Sequence, residues 1–249
     1  MKNNLFNIFN VFLIIILFFS CENNDQKIIE NKIPQNNVLT EQEKLDGWIL
    51  LFDGNSTNGW HEFGKNKVET GWIVEKGELL AFSDENNKSS DIVSDSIFSN
   101  FDLICEWRIS KGGNSGIFYH ILEGNGFTSP IQTAPEYQLI DDISFPDHLE
   151  DWQKTGANYA LHIPKENKIL KKIGEWNESR IIVKNSLVEH FLNGEKIVEF
   201  KRWTNNWKKL VQNSKWKDYP NYGLSKSGKI GLQNHGNSIW FRNIKIKKL

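Results

Sequence analysis

The segment Pro135-Glu136-Tyr137-Gln138-Leu139-Ile140-Asp141-Asp142 decides the fold. Tyr, Leu and Ile alternate there with polar residues over a short run, and this spacing predicts a β-strand. Successive side chains of a strand point to opposite faces, so Glu136 and Gln138 share one face while Tyr137 and Leu139 share the other. A carboxylate beside an amide means that this face either meets solvent or lines a site.

The rest of the folded region predicts many short strands joined by turns, without an alternation of strands and helices. Lys76-Gly77 and Asn193-Gly194 are hairpin signals, because glycine accepts the positive φ that tight turns need. We also expect a strand over residues 158–163 (NYALHI), ended by Pro164. The number and spacing of the strands indicate an all-β sandwich of two antiparallel sheets.

One short helix is expected near residues 204–215, where the strand pattern stops. Trp203, Trp207 and Val211 recur there at helical spacing, and Thr204 is a suitable N-cap. A single amphipathic helix beside two sheets leaves the fold class all-β.

Residues 1–20 are predicted to be a lipoprotein signal peptide. Their apolar run over residues 11–19 is shorter than the length of about 20 residues that a helix needs to span a membrane. Ser20-Cys21 follows, and a small residue before a Cys at this boundary resembles the bacterial lipobox. We therefore expect cleavage before Cys21 and lipidation of its thiol. The alternative is an ordinary signal peptide that contains a Cys.

A lipid on Cys21 would anchor the protein to a membrane of the bacterial cell envelope, on the periplasmic side or at the outer surface. Residues 21–45 are rich in Asn, Gln, Glu and Lys, and cannot bury enough apolar surface to fold alone. They are predicted to be a flexible tether. The folded domain is expected over residues 46–249, where Cys105 is the single cysteine, so no disulfide is expected.

The composition of the chain limits the classes of function that we expect. The formal net charge of -1 offers no global attraction to nucleic acid. The ten Trp have two ordinary places, a sandwich core and a surface on which the indole stacks against a sugar ring. The core is the better interpretation for most of them, because large aromatic side chains dominate core burial.

Several polar residues on strands could converge on one face. His190 shares a face of its strand with Val188 and Leu192, and His235 follows Gln233 by two positions. Glu136, Gln138, His190, Gln233 and His235 could therefore all come from one sheet and point to one side. The alternative for a lone strand His is a satisfied core or surface residue. A face that carries imidazole, carboxylate and amides is typical of a binding cleft.

Two familiar catalytic arrangements are not supported. No GxSxG nucleophile elbow exists in the chain. The pattern Glu136-x-Gln138-x-x-Asp141 is similar to the paired acids of jelly-roll glycosidases, but Gln138 cannot titrate. Strict alternation also places Asp141 on the opposite face of the strand from Glu136. A two-carboxylate displacement is therefore not predicted.

Six short motifs follow one another along the folded region, at residues 51–60 (LFDGNSTNGW), 72–79 (WIVEKGEL), 113–117 (GNSGI), 136–142 (EYQLIDD), 188–194 (VEHFLNG) and 231–236 (GLQNHG). In this order they resemble one known family, the 3-keto-disaccharide hydrolase domain, which belongs to the concanavalin-A-like superfamily. The resemblance implies a concanavalin-A-like jelly roll and an enzyme acting on 3-keto-glycosides, as a hydrolase or lyase. Many members of the family are lipoproteins, in agreement with Cys21.

The implied reaction begins at C2 of the sugar. A ketone at C3 acidifies the C2 hydrogen, so a base can remove it, and the C1 substituent then leaves by elimination. His190 or His235 would be the base, because imidazole titrates near the working pH. Glu136 would orient that His, accept a sugar hydroxyl or bind a metal.

The remaining candidate site residues would bind the substrate through hydroxyls or the enolate: Asn114, Gln138, Gln233, Arg242, Tyr119 and His148. The residues point to no certain cofactor. A divalent cation could act as a Lewis acid, with Glu136, His190 and His235 as candidate ligands. The competing hypotheses are a non-catalytic, lectin-like carbohydrate-binding module and a conventional glycoside hydrolase.

Overall fold

The computed structural model describes residues 35–82 and 90–249. The predicted signal peptide, the lipidation site at Cys21 and the first part of the predicted tether, up to residue 34, lie outside the described residues.

Within the described residues the chain forms thirteen strands and two α-helices. In chain order they are α1 (Glu41–Leu45), β1 (Trp48–Leu50), β2 (Trp60–Glu62), β3 (Trp72–Glu75), β4 (Glu78–Ala81), β5 (Ile92–Ser94), β6 (Phe101–Ile109), β7 (Asn114–Ile121), β8 (Glu136–Ile140), β9 (Asn177–Lys184), β10 (Leu187–Leu192), β11 (Glu195–Lys201), α2 (Asn205–Gln212), β12 (Lys229–Leu232) and β13 (Ile239–Lys248). Among the described residues, no helix has the length and apolar character needed to cross a membrane.

The strands make two antiparallel sheets. The large sheet has the order β11-β10-β9-β6-β13-β4-β3, with β1 also paired to β13, and the small sheet has the order β2-β5-β12-β7-β8. This nearly all-β jelly-roll sandwich confirms the predicted fold class. The strand that contains Glu136 is β8, at one edge of the small sheet.

The core lies between the two sheets, where each strand turns its apolar side chains inward. Tyr137 and Leu139 of β8 are fully buried there, together with Trp107 of β6 from the large sheet. Six of the ten Trp are buried, which agrees with a core role for most of them. Burying a large apolar side chain contributes about 1.5–3 kcal/mol, so these residues fix which face of each strand points inward.

The predicted turns and helix are present. Asn193 and Gly194 both have positive φ between β10 and β11, as a two-residue hairpin turn requires. Helix α2 begins after Thr204, whose hydroxyl oxygen accepts a hydrogen bond from the backbone N–H of Trp207 at 3.1 Å. The Trp207 side chain is buried, so the apolar side of the helix faces the core.

Two expectations about the backbone were wrong. Residues 158–163 form a turn, in which Ala160 has φ 64° and the side-chain amide of Asn158 contacts the ring of His162 at 3.0 Å. The folded domain also begins before residue 46. Asn37 is buried, and its side-chain amide donates to the backbone carbonyl of Gly77 at 2.7 Å. Residues 37–45 are therefore attached to the sandwich rather than part of a tether.

Candidate active site

The outer face of the small sheet carries the polar side chains of β8. Glu136 pairs with Phe118 of β7 and Gln138 with Gly116, so each pair lies side by side on one face. The backbone N–H of Gln233, just after β12, donates to the carbonyl of Gly116 at 2.9 Å. Gln138, Gly116 and Gln233 therefore form a row across three neighbouring strands, beside Glu136.

A cavity of about 150 Å³ opens over this row. It is lined by side chains from the sheet, from the loop before β8 and from the segments that follow β8 and α2, namely Asn114, Ile131, Glu136, Gln138, Tyr159, Lys215, Trp216, Gln233 and His235. We call it the Glu136 cavity. Five of the residues predicted from the sequence line it, so the structure brings them together.

Glu136 is buried, and its carboxylate fills the space above Gly116. A Cβ atom on Gly116 would lie 2.1 Å from Oε1 of Glu136, so only glycine permits this position. Among the described residues, no group donates a hydrogen bond to the carboxylate. Burial, reinforced by the charge of Asp91, raises the pKa of Glu136 to about 8. A buried carboxyl without a partner that faces a polar cavity is typical of catalytic acids and bases.

Lys215 supplies the positive charge of the Glu136 cavity. Its ammonium group lies 4.7 Å from the centre of the Tyr159 ring and 4.9 Å from that of Trp216, two other residues of the cavity wall. The charge of Lys215 opposes the rise in the pKa of Glu136. An ammonium held over two aromatic rings is therefore available to an anion in this cavity.

A second and larger cavity, of about 470 Å³, adjoins the first, and Gln233 and His235 line both. We call it the Asp91 cavity. The carboxylate of Asp91 accepts a hydrogen bond from the backbone N–H of Asn234 at 3.0 Å. Burial nevertheless raises the pKa of Asp91 to about 6. The site thus contains two carboxyl groups, each with a pKa above its ordinary value.

The amides and the imidazole complete the walls. The side-chain amide of Gln138 donates to the carbonyl oxygen of Asn114 at 3.1 Å, which fixes the orientation of both groups. His235 is exposed where the two cavities meet. These polar groups can bind sugar hydroxyls from several directions.

His190 and Tyr119 are not in this site, contrary to prediction. The ring of His190 is fully buried between the sheets, with Nδ1 3.0 Å from the carbonyl of Gly156 and Nε2 3.2 Å from the hydroxyl of Tyr119. Because the carbonyl can only accept, Nδ1 carries the proton and Nε2 accepts from Tyr119. Burial lowers the pKa of His190 to about 3. Both residues lie on the core side of the small sheet, opposite Glu136.

Arg242 and His148 are also outside the site. Arg242 projects from the large sheet, where its Nε donates to the Glu106 carboxylate at 2.7 Å and its guanidinium lies 4.0 Å from the centre of the Trp176 ring. His148 has a side chain that is 87% exposed and lines neither cavity. Asp141 accepts backbone N–H groups, including that of Gly112 at 2.8 Å, and so fixes a turn rather than providing a second acid.

The predicted metal ligands do not converge. Glu136 and His190 lie on opposite sides of the small sheet, so they cannot bind one ion together with His235. Among residues 35–82 and 90–249, no group of three or more His, Cys, Asp or Glu side chains is arranged to hold a metal ion.

Sequence patterns missed the other residues of the two cavities, among them two charged and two aromatic residues, Asp91, Lys215, Tyr159 and Trp216. The last three lie in turns or loops, whose position in space has no periodic signal. Asp91 directly precedes β5. Its place as a polar residue at the end of a strand was the one sequence feature that could have indicated a residue of the site.

This chain is similar to known proteins over most of its length. A family profile described as a 3-keto-alpha-glucoside-1,2-lyase-like domain matches residues 47–247. A 3-keto-disaccharide hydrolase of Bacteroides thetaiotaomicron is 36% identical over 230 residues, covering 82% of this chain and 79% of that protein. A crystal structure of a candidate glycosyl hydrolase from Parabacteroides distasonis has a TM-score of 0.81 at 43% identity, covering 86% of this chain and 100% of that chain. Another from the same species has a TM-score of 0.63 at 28% identity, covering 81% and 99%.

Proposed function

Since this chain belongs to the family of 3-keto-alpha-glucoside-1,2-lyase-like domains and is by homology a carbohydrate hydrolase, we propose that it cleaves 3-keto-glycosides by eliminating the C1 substituent. The substrate class would include 3-keto-disaccharides. One observation carries the proposal, the buried carboxylate of Glu136 that faces a polar cavity without a hydrogen-bond donor among the described residues.

The reaction has two stages. A base removes the C2 proton, and the electrons of the C–H bond move into an enolate whose oxygen is the former ketone oxygen at C3. The enolate then reforms the ketone, C1=C2 becomes a double bond, and the C1–O1 bond breaks. Water adds to the resulting 2-hydroxy-3-keto-glycal, with oxygen at C1 and hydrogen at C2. Elimination followed by hydration therefore gives net hydrolysis.

Glu136 is the base in this proposal. A pKa of about 8 makes its carboxylate a stronger base than an ordinary Glu and keeps its titration near the working pH. Because it lies above Gly116, the carboxylate also faces the cavity. Glu136 thus takes the role of base that the family resemblance implied for His190, which is buried on the core side of the small sheet.

Lys215 and the amides stabilise the enolate. The ammonium of Lys215 is the positive group of the Glu136 cavity, and Asn114 and Gln233 line the same space. Donors fixed before the reaction stabilise a developing oxyanion more than mobile water does. His235, at the junction of the cavities, binds substrate hydroxyls.

A second candidate function, a conventional glycoside hydrolase, is favoured by one observation. Asp91 and Glu136 are two carboxyl groups in adjoining cavities, and the charge of Asp91 contributes to the raised pKa of Glu136. Paired carboxyls are the usual machinery for cleaving unoxidised glycosides. The two functions differ in the need for a ketone at C3.

The test compares 3-keto-trehalose with trehalose. The proposal expects turnover of the oxidised sugar alone, and equal turnover of both would establish the conventional reaction instead. Glu136→Gln should lower kcat/KM for 3-keto-trehalose by about 10²–10⁴, the usual contribution of a general base. Glu175→Gln is the matched control, because Glu175 is exposed and lines neither cavity.

We further propose that the protein is lipid-anchored at Cys21 and faces the periplasm or the outer surface of a bacterial envelope. The support is the apolar run over residues 11–19 followed by Ser20-Cys21. Metabolic labelling with a clickable fatty acid should mark the wild-type chain in the membrane fraction, and Cys21→Ala should abolish the label. Labelling of the Cys21→Ala variant would contradict the anchor.

A further inference from the structure

The Asp91 cavity is continuous with the Glu136 cavity and has polar walls. It meets the Glu136 cavity at Gln233 and His235, so a ligand longer than one sugar ring reaches from one cavity into the other. Its walls are largely hydroxyl, amide and carboxylate groups, including Ser90, Thr128 and Ser129. Such walls suit a leaving group rich in hydroxyls, as a second sugar is.

The register of the small sheet places the two carboxyl groups on either side of Gln233. Leu232 pairs with Ile92 in antiparallel register, and the next step of that register sets Gln233 opposite Asp91. On the other side, Gln233 bonds to Gly116, above which the Glu136 carboxylate lies. Neighbouring strands are about 4.8 Å apart, so the backbones of Gly116 and Asp91 are separated by about 10 Å.

We infer that Asp91 is the general acid that protonates the leaving oxygen at C1, and that the Asp91 cavity is the subsite for the leaving sugar. This inference rests on the proposed function. After Glu136 has taken the C2 proton, the enolate reforms the ketone, the C1–O1 bond breaks as C1=C2 forms, and O1 takes a proton from the Asp91 carboxyl. The products are the 2-hydroxy-3-keto-glycal and the free second sugar. Glu136 is then protonated and Asp91 ionised, and exchange with water restores both.

Turnover requires ionised Glu136 beside protonated Asp91, which is a minor state of the free enzyme because the pKa of the acid lies below that of the base. The pKa of Asp91, about 6, is lower than that of Glu136, about 8, and both lie above the ordinary range of a carboxyl group. Near neutral pH each group still keeps a fraction in the reactive form, so a small share of the molecules is competent for turnover. The bond from the Asn234 N–H holds one oxygen of Asp91 in place.

Asp91→Asn provides the test, because the amide oxygen of Asn can still accept the Asn234 N–H and preserve the local fold. An acid is needed most when the leaving alcohol is weakly acidic. The variant should lose about 10²-fold or more in kcat/KM for 3-keto-trehalose, but less than about 10-fold for 3-keto-4-nitrophenyl glucoside. Asp147→Asn is the matched control, since Asp147 is exposed and lines neither cavity.

A second readout separates an acid from a structural role. In D₂O, Asp91→Asn should exchange the C2 hydrogen of unreacted 3-keto-trehalose for deuterium faster than it forms product, because the enolate still forms but cannot expel its alcohol. Equal losses for both leaving groups, without C2 exchange, would overturn the inference while leaving the proposed function intact. Failure of the wild-type protein on every 3-keto-glycoside would overturn both.

Discussion

The carboxylate of Glu136 occupies the position that the side chain of residue 116 would take in any residue other than glycine. A Cβ on Gly116 would lie 2.1 Å from Oε1 and 2.8 Å from the carboxyl carbon of Glu136. One glycine on a neighbouring strand therefore determines where the carboxyl group of Glu136, the proposed base, can lie.

Gly116→Ala should displace that carboxylate. We expect kcat/KM to fall by at least about 10-fold, because a small shift of a catalytic group is costly, and stability to fall by about 1–3 kcal/mol from overpacking. Gly231→Ala is the control, since its Cβ would meet the side chain of Ile121 on the same sheet and no catalytic group. Equal catalytic losses in the two variants would refute the role of Gly116. Steady-state kinetics and urea unfolding measure both effects.

The burial of Glu136 should make stability depend on pH. The unfolded carboxyl ionises near 4.5, whereas the folded one holds its proton up to about 8. The unfolded state therefore binds fewer protons between these values, and the free energy of unfolding of the wild type falls as pH rises through this window.

Glu136→Gln removes this dependence. Relative to the wild type, the variant should gain about 1–3 kcal/mol between pH 4.5 and pH 8.5. Urea unfolding at several pH values measures the change, with Glu175→Gln as the exposed control. A difference that does not vary with pH would show that Glu136 ionises normally in the folded protein.

Lys215 should set the pH at which the enzyme becomes active. With 3-keto-4-nitrophenyl glucoside, whose leaving group needs little help from an acid, only the base must be in the correct form, so kcat/KM should rise with pH through an apparent pKa near that of Glu136, about 8. Among the residues that the structure describes, Asp91 and Lys215 are the charged groups that act on Glu136, and the Lys215 charge lowers its pKa. Lys215→Met should therefore move the rising limb to higher pH and lower kcat.

Two variants serve as controls for this effect. Lys215→Arg should restore part of the lost activity and return the limb toward its original pH. Lys217→Met removes an exposed charge from the same 3₁₀ turn, Lys215–Asp218, and should leave the profile unchanged. A profile that Lys215→Met does not shift would exclude Lys215 from the electrostatics of the site.

His190 and His235 should behave in opposite ways. His190→Ala opens a cavity between the sheets and removes the partner of Tyr119, so we expect a loss of about 2–4 kcal/mol in stability with kcat of the folded protein nearly unchanged. His235→Ala should change stability by less than about 0.5 kcal/mol, because the side chain is exposed, and should raise KM. A stable but inactive His190→Ala variant would restore His190 as the base.

The sequence predicted the local elements better than the arrangement of the site. The period of two in β8 identified the face of Glu136, and Asn193-Gly194 identified a hairpin, because both signals depend on neighbouring residues alone. For residues 158–163 the apolar alternation was misleading. There the backbone N–H of Tyr159 donates to the carbonyl of Glu136, so the segment covers the edge of β8 in an irregular turn.

The placement of His190 shows why the site was harder to predict. Alternation correctly put His190 on the face of Val188 and Leu192, and two apolar neighbours on that face indicated the core. The expected convergence with Glu136 failed because β10 belongs to the large sheet, and sheet membership depends on long-range pairing. Asp91 and Lys215 reach the site through the same long-range packing, which no local pattern records.

The most direct test of the central claim, removal of the C2 proton by Glu136, is the fate of the C2 hydrogen during turnover. The reaction is run in D₂O with 3-keto-trehalose, and C2 of the released 3-keto-glucose is observed by NMR at early times, against an enzyme-free control for spontaneous exchange. Elimination and hydration predict deuterium at C2 in every product molecule formed by the wild type, and no such product from Glu136→Gln. A product that retains its original C2 hydrogen would contradict the account, because direct hydrolysis never breaks that bond.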